Sequence, residues 1–570
     1  MNAPPARPLP ARLPAALVVL AAWGVAALLF NRTGWQDWSA PQWLEGDPLE
    51  VYARVKIASE QPLSSLIGFT RVDRLGAPFA ADWSAYPVPD KLVFALTGRL
   101  ARVTGLIAAV QLVSVGFLAL NALSFFLTAR WLRWRWEWAA ALALVFAFCS
   151  YNVRWGVTLS LGQSFTLPPL ILLCARAARR GARSRPLPRG WQVLAALLGL
   201  WLGLGNPYLA FFAGIVGGGA LVLALVRRCP WSRLAPLTVF LGVLTLVFVA
   251  TNAAYAWQHW QQPGDGALVR STDDFRVYAL RPADWLVPPA DHRLGFMAQV
   301  GHAYLASRNY TGEFFYNYLG VLGLVGAIGL LAASLRLLPR KGLRGLDVPL
   351  GLAWITAFGM AGGVNTWLGA AGIDLFRAGT RLGIFAVIWV LLYACGRLHR
   401  ATRGLARPLS IGLACVLTAL ACWEQTPLLS SRESRGKNAA RWGQYVQLTD
   451  SLERSLPRAA AVFQLPCRTM SISCPTSHRL RCTFPTAGCA RRRSRAGPGT
   501  PRRSRPRRSW PNWSARDSRR YGSTAAVTAM RPYRWSQNCG GSVSPNCRCR
   551  RPCRFHFSGC MPRSRPSPPT

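Results

Sequence analysis

The feature that most constrains this chain is its series of long apolar runs, which recur between residues 13 and 423 almost without charge. Each comes near the roughly 20 residues that a helix needs to cross the hydrocarbon core of a bilayer. A water-soluble chain would scatter charges every few residues, whereas here they collect between the runs. In lipid, every backbone N–H and C=O must be satisfied within the spanning segment, so such runs become helices. The sequence predicts an all-α polytopic membrane protein with about 11 transmembrane helices. They fall near 13–30, 105–128, 136–152, 160–176, 191–205, 206–226, 234–256, 317–337, 349–368, 382–397 and 408–423. Asn206-Pro207 marks a tight turn or a broken helix between two of them. A cleaved signal peptide does not suit 13–30, because Phe30-Asn31-Arg32 offers no small-residue cleavage site.

The formal charge of +45 suggests a nucleic-acid partner, but its distribution argues against one. The tail 467–570 alone carries 23 Arg, no Lys and a single acid, Asp517. The short connections 1–12, 130–135, 175–189, 227–233, 336–346 and 397–407 together hold 22 Lys or Arg and no acid. The loop 31–103 balances eight acids with eight bases, and the loop 257–316 is also nearly balanced. Alternation of this kind follows the positive-inside rule. It places the N-terminus in the cytoplasm and, with an odd number of spans, residues beyond Trp423 outside. In a Gram-negative bacterium that side is the periplasm, and the predicted location is then the inner membrane with the C-terminus in the periplasm.

The chain therefore divides into a transmembrane domain, 1–423, and the start of a periplasmic soluble domain, 424–466. Within the latter, Trp442 to Leu456 has helical spacing and Ala459 to Leu465 reads as a buried strand. From Cys467 the text changes: 104 residues contain one Leu, one Ile and two Val among Arg, Ser, Pro, Thr and Cys. A GC-rich gene read in a wrong frame yields that mixture. Permitted codons for Ser518–Tyr533, read one nucleotide earlier, give a strand, a turn and a helix start that include W-I-D-R-R-G-Y. We read 467–570 as an out-of-frame, disordered tail that leaves the soluble domain truncated.

Chemistry in such a chain belongs in the polar loops. The first opens on Gly46-Asp47-Pro48-Leu49-Glu50; if Pro48 begins a helix, Asp47 and Glu50 share a face at i and i+3. Leu75-Gly76-Ala77-Pro78-Phe79 follows, then Asp82, Tyr86 and Asp90, where solvated turn residues are expected ahead of ligands. Glu313 precedes a span, and Arg377 and Arg381 precede another. Plain structural roles compete at each site: Asp47 and Glu313 as helix caps, the arginines as headgroup anchors, Asp273-Asp274 as a solvated pair. His292 and His302 have no partner spaced for metal binding. No P-loop, dinucleotide fingerprint or H-E-x-x-H motif occurs.

Gly46-Asp47-Pro48, Leu75-Gly76-Ala77-Pro78-Phe79, Gly312-Glu313 leading to Tyr318-Leu319-Gly320, and Phe376-Arg377 with Arg381 resemble a bacterial branch of the GT-C superfamily of membrane glycosyltransferases. That branch is often labelled sugar translocase or YfhO-like, and the resemblance covers about residues 13–466. It implies a sugar donor carried on polyprenyl phosphate, an envelope glycan or lipid as acceptor, and a carboxylate early in the first outside loop. On that resemblance Asp47 is the base candidate with Glu50 beside it. Arg377 and Arg381 face the donor phosphate, with Arg54 and Lys56 as weaker candidates. Glu313, Asp82, Tyr86 and Asp90 complete the substrate site. No nucleic acid and no fixed cofactor are implied, and a divalent metal stays open. A transporter or flippase of lipid-linked sugars is the alternative, and an inactive product of a frameshifted gene is the third.

Overall fold

A computed structural model describes residues 12–30, 38–61, 71–72, 75, 80–83, 90–156, 158–179, 187–261, 271–307, 313–341, 346–426, 432–457, 460 and 462. Two calls on the sequence fall largely or wholly outside them: the expected strand 459–465 and the tail 467–570. In chain order the helices are α1 (Arg12–Leu29), α2 (Asp47–Glu60), α3 (Lys91–Thr104), α4 (Leu106–Trp131), α5 (Trp136–Ala147), α6 (Ser150–Gly156) and α7 (Leu167–Ala177). Next come α8 (Gly190–Leu204), α9 (Pro207–Val226), α10 (Trp231–Gln261), α11 (Thr272–Val277), α12 (Ala283–Leu286) and α13 (Gly295–Ala306). The series closes with α14 (Gly320–Lys341), α15 (Asp347–Gly359), α16 (Val364–Ala370), α17 (Gly383–Ala401), α18 (Arg407–Gln425) and α19 (Arg432–Ser455). A two-stranded antiparallel ladder, β1 (Arg71–Val72) and β2 (Ala81–Asp82), pairs Arg71 with Asp82.

The molecule is a polytopic all-α membrane protein. Each of the eleven expected runs falls on an apolar helix. Among the described residues, seven helical segments are long and apolar enough to cross a bilayer. An eighth is the pair α5 and α6, which together span but bend by 49° at their break. The remaining three, Leu13–Leu29, Ser164–Ala177 and Gly190–Leu204, are shorter. The Asn206-Pro207 signal is a helix junction: α8 ends at Leu204, and the Asn206 side chain caps α9 by accepting from the N–H groups of Tyr208 and Leu209.

Lipid tails are as apolar as leucine, so these helices associate by close packing rather than by hydrophobic burial. At the α8–α10 crossing, a Cβ on Gly199 would lie 2.8 Å from the carbonyl oxygen of Phe240, and one on Gly203 only 2.8 Å from the Val247 side chain. Only glycine permits that approach. The centre of the bundle is aromatic and aliphatic: Phe125 of α4 stacks on Phe146 of α5 at 5.3 Å, with Trp138 and Phe385 fully covered nearby.

On the side of the two long loops, α2 and α3 form a hairpin over a smaller core. Val51, Tyr52 and Val55 pack there with Val93, Phe94, Ile107, Val110 and Leu159. The helical spacing read at 442–456 lies within α19, whose Trp442 packs on this core.

Candidate functional site

Gly46 has φ of +68°, a left-handed conformation that costs glycine little, and it turns the chain into α2. Pro48 sits in the first turn, where its missing N–H leaves no bond unmade. Asp47 and Glu50 consequently lie in one turn, as their spacing suggested. Both face a cavity of about 270 Å³ on the long-loop side of the bundle.

Segments far apart in the chain close that cavity. The first loop supplies Asp47, Glu50 and Arg54; the α6 region supplies Trp155, Thr158 and Ser160; the α8–α9 corner supplies Asn206 and Tyr208. The second long loop supplies Tyr278 and Glu313, and the turn before α17 supplies Phe376, Arg377 and Arg381. Five of the eight residues expected at the site therefore meet here: Asp47, Glu50, Glu313, Arg377 and Arg381.

The arginines are held in fixed positions. Arg381 grips Glu313 with two parallel bonds, Nε to Oε2 at 2.9 Å and Nη2 to Oε1 at 2.5 Å, the geometry that a guanidinium fork favours. Its cation lies 4.1 Å from the Tyr208 ring centre and 5.0 Å from that of Trp155. Arg377 pairs with Asp274 at 2.9 Å and lies 4.6 Å over Tyr278. Arg54, buried, pairs with Glu50 at 2.5 Å and lies 4.9 Å over Trp83. A guanidinium has five N–H donors, and the Glu313 pair occupies two of those on Arg381.

Asp47 differs from the other carboxylates. Among the described residues, none forms an ion pair or hydrogen bond with its side chain, which opens into the cavity. Desolvation by the surrounding protein raises its pKa first, followed by the like charge of Glu50 and, less, of Glu313; Arg381 opposes them. The result is a carboxylate with an unused lone pair and increased basicity.

Asp90 corrects the sequence reading. Rather than a solvated turn residue, it is fully buried, at φ of +58°, where it begins α3. The Ser160 hydroxyl donates to its Oδ2 at 2.6 Å, Asn206 Nδ2 donates to Oδ2 at 3.2 Å, and Gln163 Nε2 donates to Oδ1. Burial pushes its pKa up to about 7, against those three bonds and the charge of Arg54. It lies beneath the cavity floor formed by Ser160 and Asn206, not in the wall. Asp82 sits on the β2 ladder rather than in an irregular loop. Tyr86 and the stretch 76–79 lie outside the described residues, as does Gly312. Lys56 forms an ion pair with Glu60 at 3.2 Å, away from the cavity wall.

Sequence reasoning missed two partners. Asp274, taken as half of a solvated pair, holds Arg377 while completing a capping box with Ser271; Asp273 is exposed. The other is a buried clamp in which His292 Nε2 meets Glu424 Oε1 at 3.0 Å and Tyr318 OH donates to the same oxygen at 2.8 Å. The N–H of Leu294 donates to His292 Nδ1 at 3.1 Å, so the neutral ring carries its proton on Nε2. Neither pairing has a local sequence signal. Among the described residues, no group of three or more His, Cys, Asp or Glu side chains is arranged to hold a metal ion.

No protein-family profile matches the chain, and no curated protein matches its sequence. Among solved structures, the oligosaccharyltransferase of Archaeoglobus fulgidus, a crystal structure of the apo form, is similar over 73% of this chain at 12% identity and a TM-score of 0.38. The matched region covers 57% of that protein, so the present chain spans a little over half of its length. A likeness of that degree leaves the function to be argued from this chain's own side chains.

Proposed function

We propose that the chain is a membrane glycosyltransferase that moves a sugar from a polyprenyl-phosphate donor to an envelope glycan or lipid acceptor on the outer face of a bacterial inner membrane. One observation carries this reading: Asp47, a carboxylate with no partner among the described residues, opens into the same cavity as two anchored arginines, Arg377 and Arg381. The acceptor hydroxyl attacks the anomeric carbon as the bond from that carbon to the phosphate oxygen breaks. Its proton passes to Asp47, and the leaving electron pair stays on the lipid phosphate. The remaining N–H donors of Arg377 and Arg381 meet the phosphate oxygens, and their pairing with Asp274 and Glu313 keeps them in place. Glu50, engaged by Arg54, increases the basicity of Asp47 through its charge. The aromatic walls, Trp155 and Tyr278 among them, suit the apolar faces of a sugar ring.

Comparison of envelope glycans from a deletion strain, a strain complemented with the native gene and one carrying Asp47→Ala tests the proposal. The native gene should restore the altered glycan and Asp47→Ala should not. Full restoration by Asp47→Ala removes the base from the reading. A frameshift near Cys467 belongs to the same proposal. Resequencing should show a longer open frame, and detection of the Arg-rich tail by mass spectrometry would refute it.

A second reading, movement of a lipid-linked sugar without bond chemistry, is favoured by the broken spans. The α5–α6 pair bends by 49°, and Met360–Gly363 interrupts the segment formed by α15 and α16. Passage of a lipid-linked sugar across proteoliposomes with no change in linkage would decide for it.

A further inference from the structure

A second cavity, of about 670 Å³, lies in the opposite half of the bundle, between α7, α9, α15 and α17. Its walls are almost entirely apolar, and Gly218 of α9, where a Cβ would meet nothing within 4 Å, leaves room in it. We propose that it is a binding site for one acyl chain of an anionic glycerophospholipid, whose phosphate is held by Arg400.

The charge at the mouth supports a phosphate headgroup. Asp347 and Arg400 stand where the cavity reaches the basic helix ends. Asp347 is already neutralised by Arg227 at 2.5 Å. Arg400 is exposed, forms only a bond from its Nε to the Gly396 carbonyl of its own helix, and meets no carboxylate among the described residues. Among the described residues, that leaves a guanidinium with no carboxylate partner beside an apolar slot, the arrangement by which basic pockets between membrane helices take anionic headgroups.

The depth favours a chain confined to one leaflet. From Gly214 to Val226 the wall of α9 rises about 18 Å, at 1.5 Å per residue, against about 15 Å for half of the hydrocarbon core. Beyond Gly214 a row of aromatic rings closes the slot: Trp354 and Phe358 in tilted contact, Phe358 tilted against Phe211, and Phe211 flat on Phe376 at 4.1 Å. A long polyprenyl chain would have to leave the slot sideways, whereas an acyl chain ends inside it.

The full chain, purified and stripped of lipid in detergent, is titrated with phosphatidylglycerol or phosphatidylcholine of identical chains and read by native mass spectrometry. One phosphatidylglycerol per chain should bind, at least tenfold more tightly than phosphatidylcholine. Arg400→Gln should bring the two lipids to within twofold of each other. Gly218→Phe, which projects into the cavity where a Cβ meets nothing within 4 Å, should lose binding of both. Gly242→Phe, equally unobstructed but on the exposed face of α10, should bind like the native chain. Equal binding by the Gly218→Phe and Gly242→Phe variants overturns the site, and an anionic preference that survives Arg400→Gln overturns the headgroup assignment. Polyprenyl phosphate displacing phosphatidylglycerol at equal concentration overturns the choice of lipid. Should Gly218→Phe fail to fold, the exposed Arg400→Gln still carries the test.

Discussion

Asp47 and Asp90 sit in the two halves of the same long loop, each at the start of a helix, and both have pKa values raised by desolvation. Their surroundings are otherwise opposite. Asp47 opens into a cavity with no partner among the described residues, while Asp90 is sealed beneath that cavity with three donors on its two oxygens. An open carboxylate with raised pKa can exchange a proton with a bound ligand. A sealed one is committed to architecture: through Ser160 and Asn206 it fixes the cavity floor and the cap of α9. The same side chain in the same loop thus faces a cavity in one place and is a structural pin in the other.

The sharpest way to break this comparison is Asp47→Asn. If Asp47 is the base, turnover should fall by about 10²–10⁴-fold, while the melting temperature in detergent stays close to the native value, because none of the described residues bonds to its side chain. Transfer by the native chain should rise with pH through a pKa above the usual carboxylate range, since the base must be deprotonated, and Asp47→Asn should abolish that limb. A large loss of stability without a selective loss of turnover would make Asp47 the structural residue of the two.

Arg381→Ala comes next. It strands Glu313, and loss of one partner of a buried pair costs about 3–5 kcal/mol; both side chains keep 17% exposure, which points to the lower end. The substitution also removes a positive charge that lowers the pKa of Asp47. The rising limb should therefore move to higher pH in whatever activity survives, and an unmoved limb would uncouple Arg381 from the base.

The spans, their order and the two long loops were legible because bilayer thickness and the cost of buried charge act on local sequence. The turn at Gly46-Asp47-Pro48 was legible for the same reason: left-handed backbone and proline at a helix start leave local marks. What the loops do to each other leaves none. Glu313 and Arg381 are 68 positions apart, and His292 and Glu424 are 132 apart, so no periodicity could join them. Composition likewise did not distinguish Asp274, which grips Arg377, from its exposed neighbour Asp273. Asp90 looked like a turn residue because it stands among Pro, Tyr and Trp, and only the segment after α6 and the α8–α9 corner, packed against it, make it a core group.

Asp90 also sets a pH dependence with a definite sign. Its carboxyl titrates near 3.9 in an unfolded chain and near 7 in the folded one. Between those values the folded chain binds more protons, so stability falls as pH rises from about 4 to about 7, by up to about 1.4 kcal/mol per pH unit. Asp90→Asn mimics the protonated form and should flatten the melting profile across that window. Retention of the native slope would show that Asp90 is ionised in the fold, and its contrast with Asp47 would narrow.

The smallest effect tests what holds Asp47 in position. α19 touches α2 and the segment before it: Trp442 lies 6.2 Å from Tyr52, Arg441 meets Glu45 at 3.0 Å, and Asn438 Nδ2 donates to the Gln42 carbonyl at 2.8 Å. An aromatic pair contributes about 0.5–1.5 kcal/mol beyond its buried area, and the exposed Arg441–Glu45 pair about 0–1 kcal/mol. Trp442→Ala should therefore lower turnover several-fold and leave the affinity for the donor nearly unchanged, because the arginines stand on other segments. Trp442→Phe should restore most of the loss. If Trp442→Ala instead weakens donor binding and spares turnover, α19 serves the arginine side of the cavity, and the position of Asp47 is set by Gly46 and Pro48 alone.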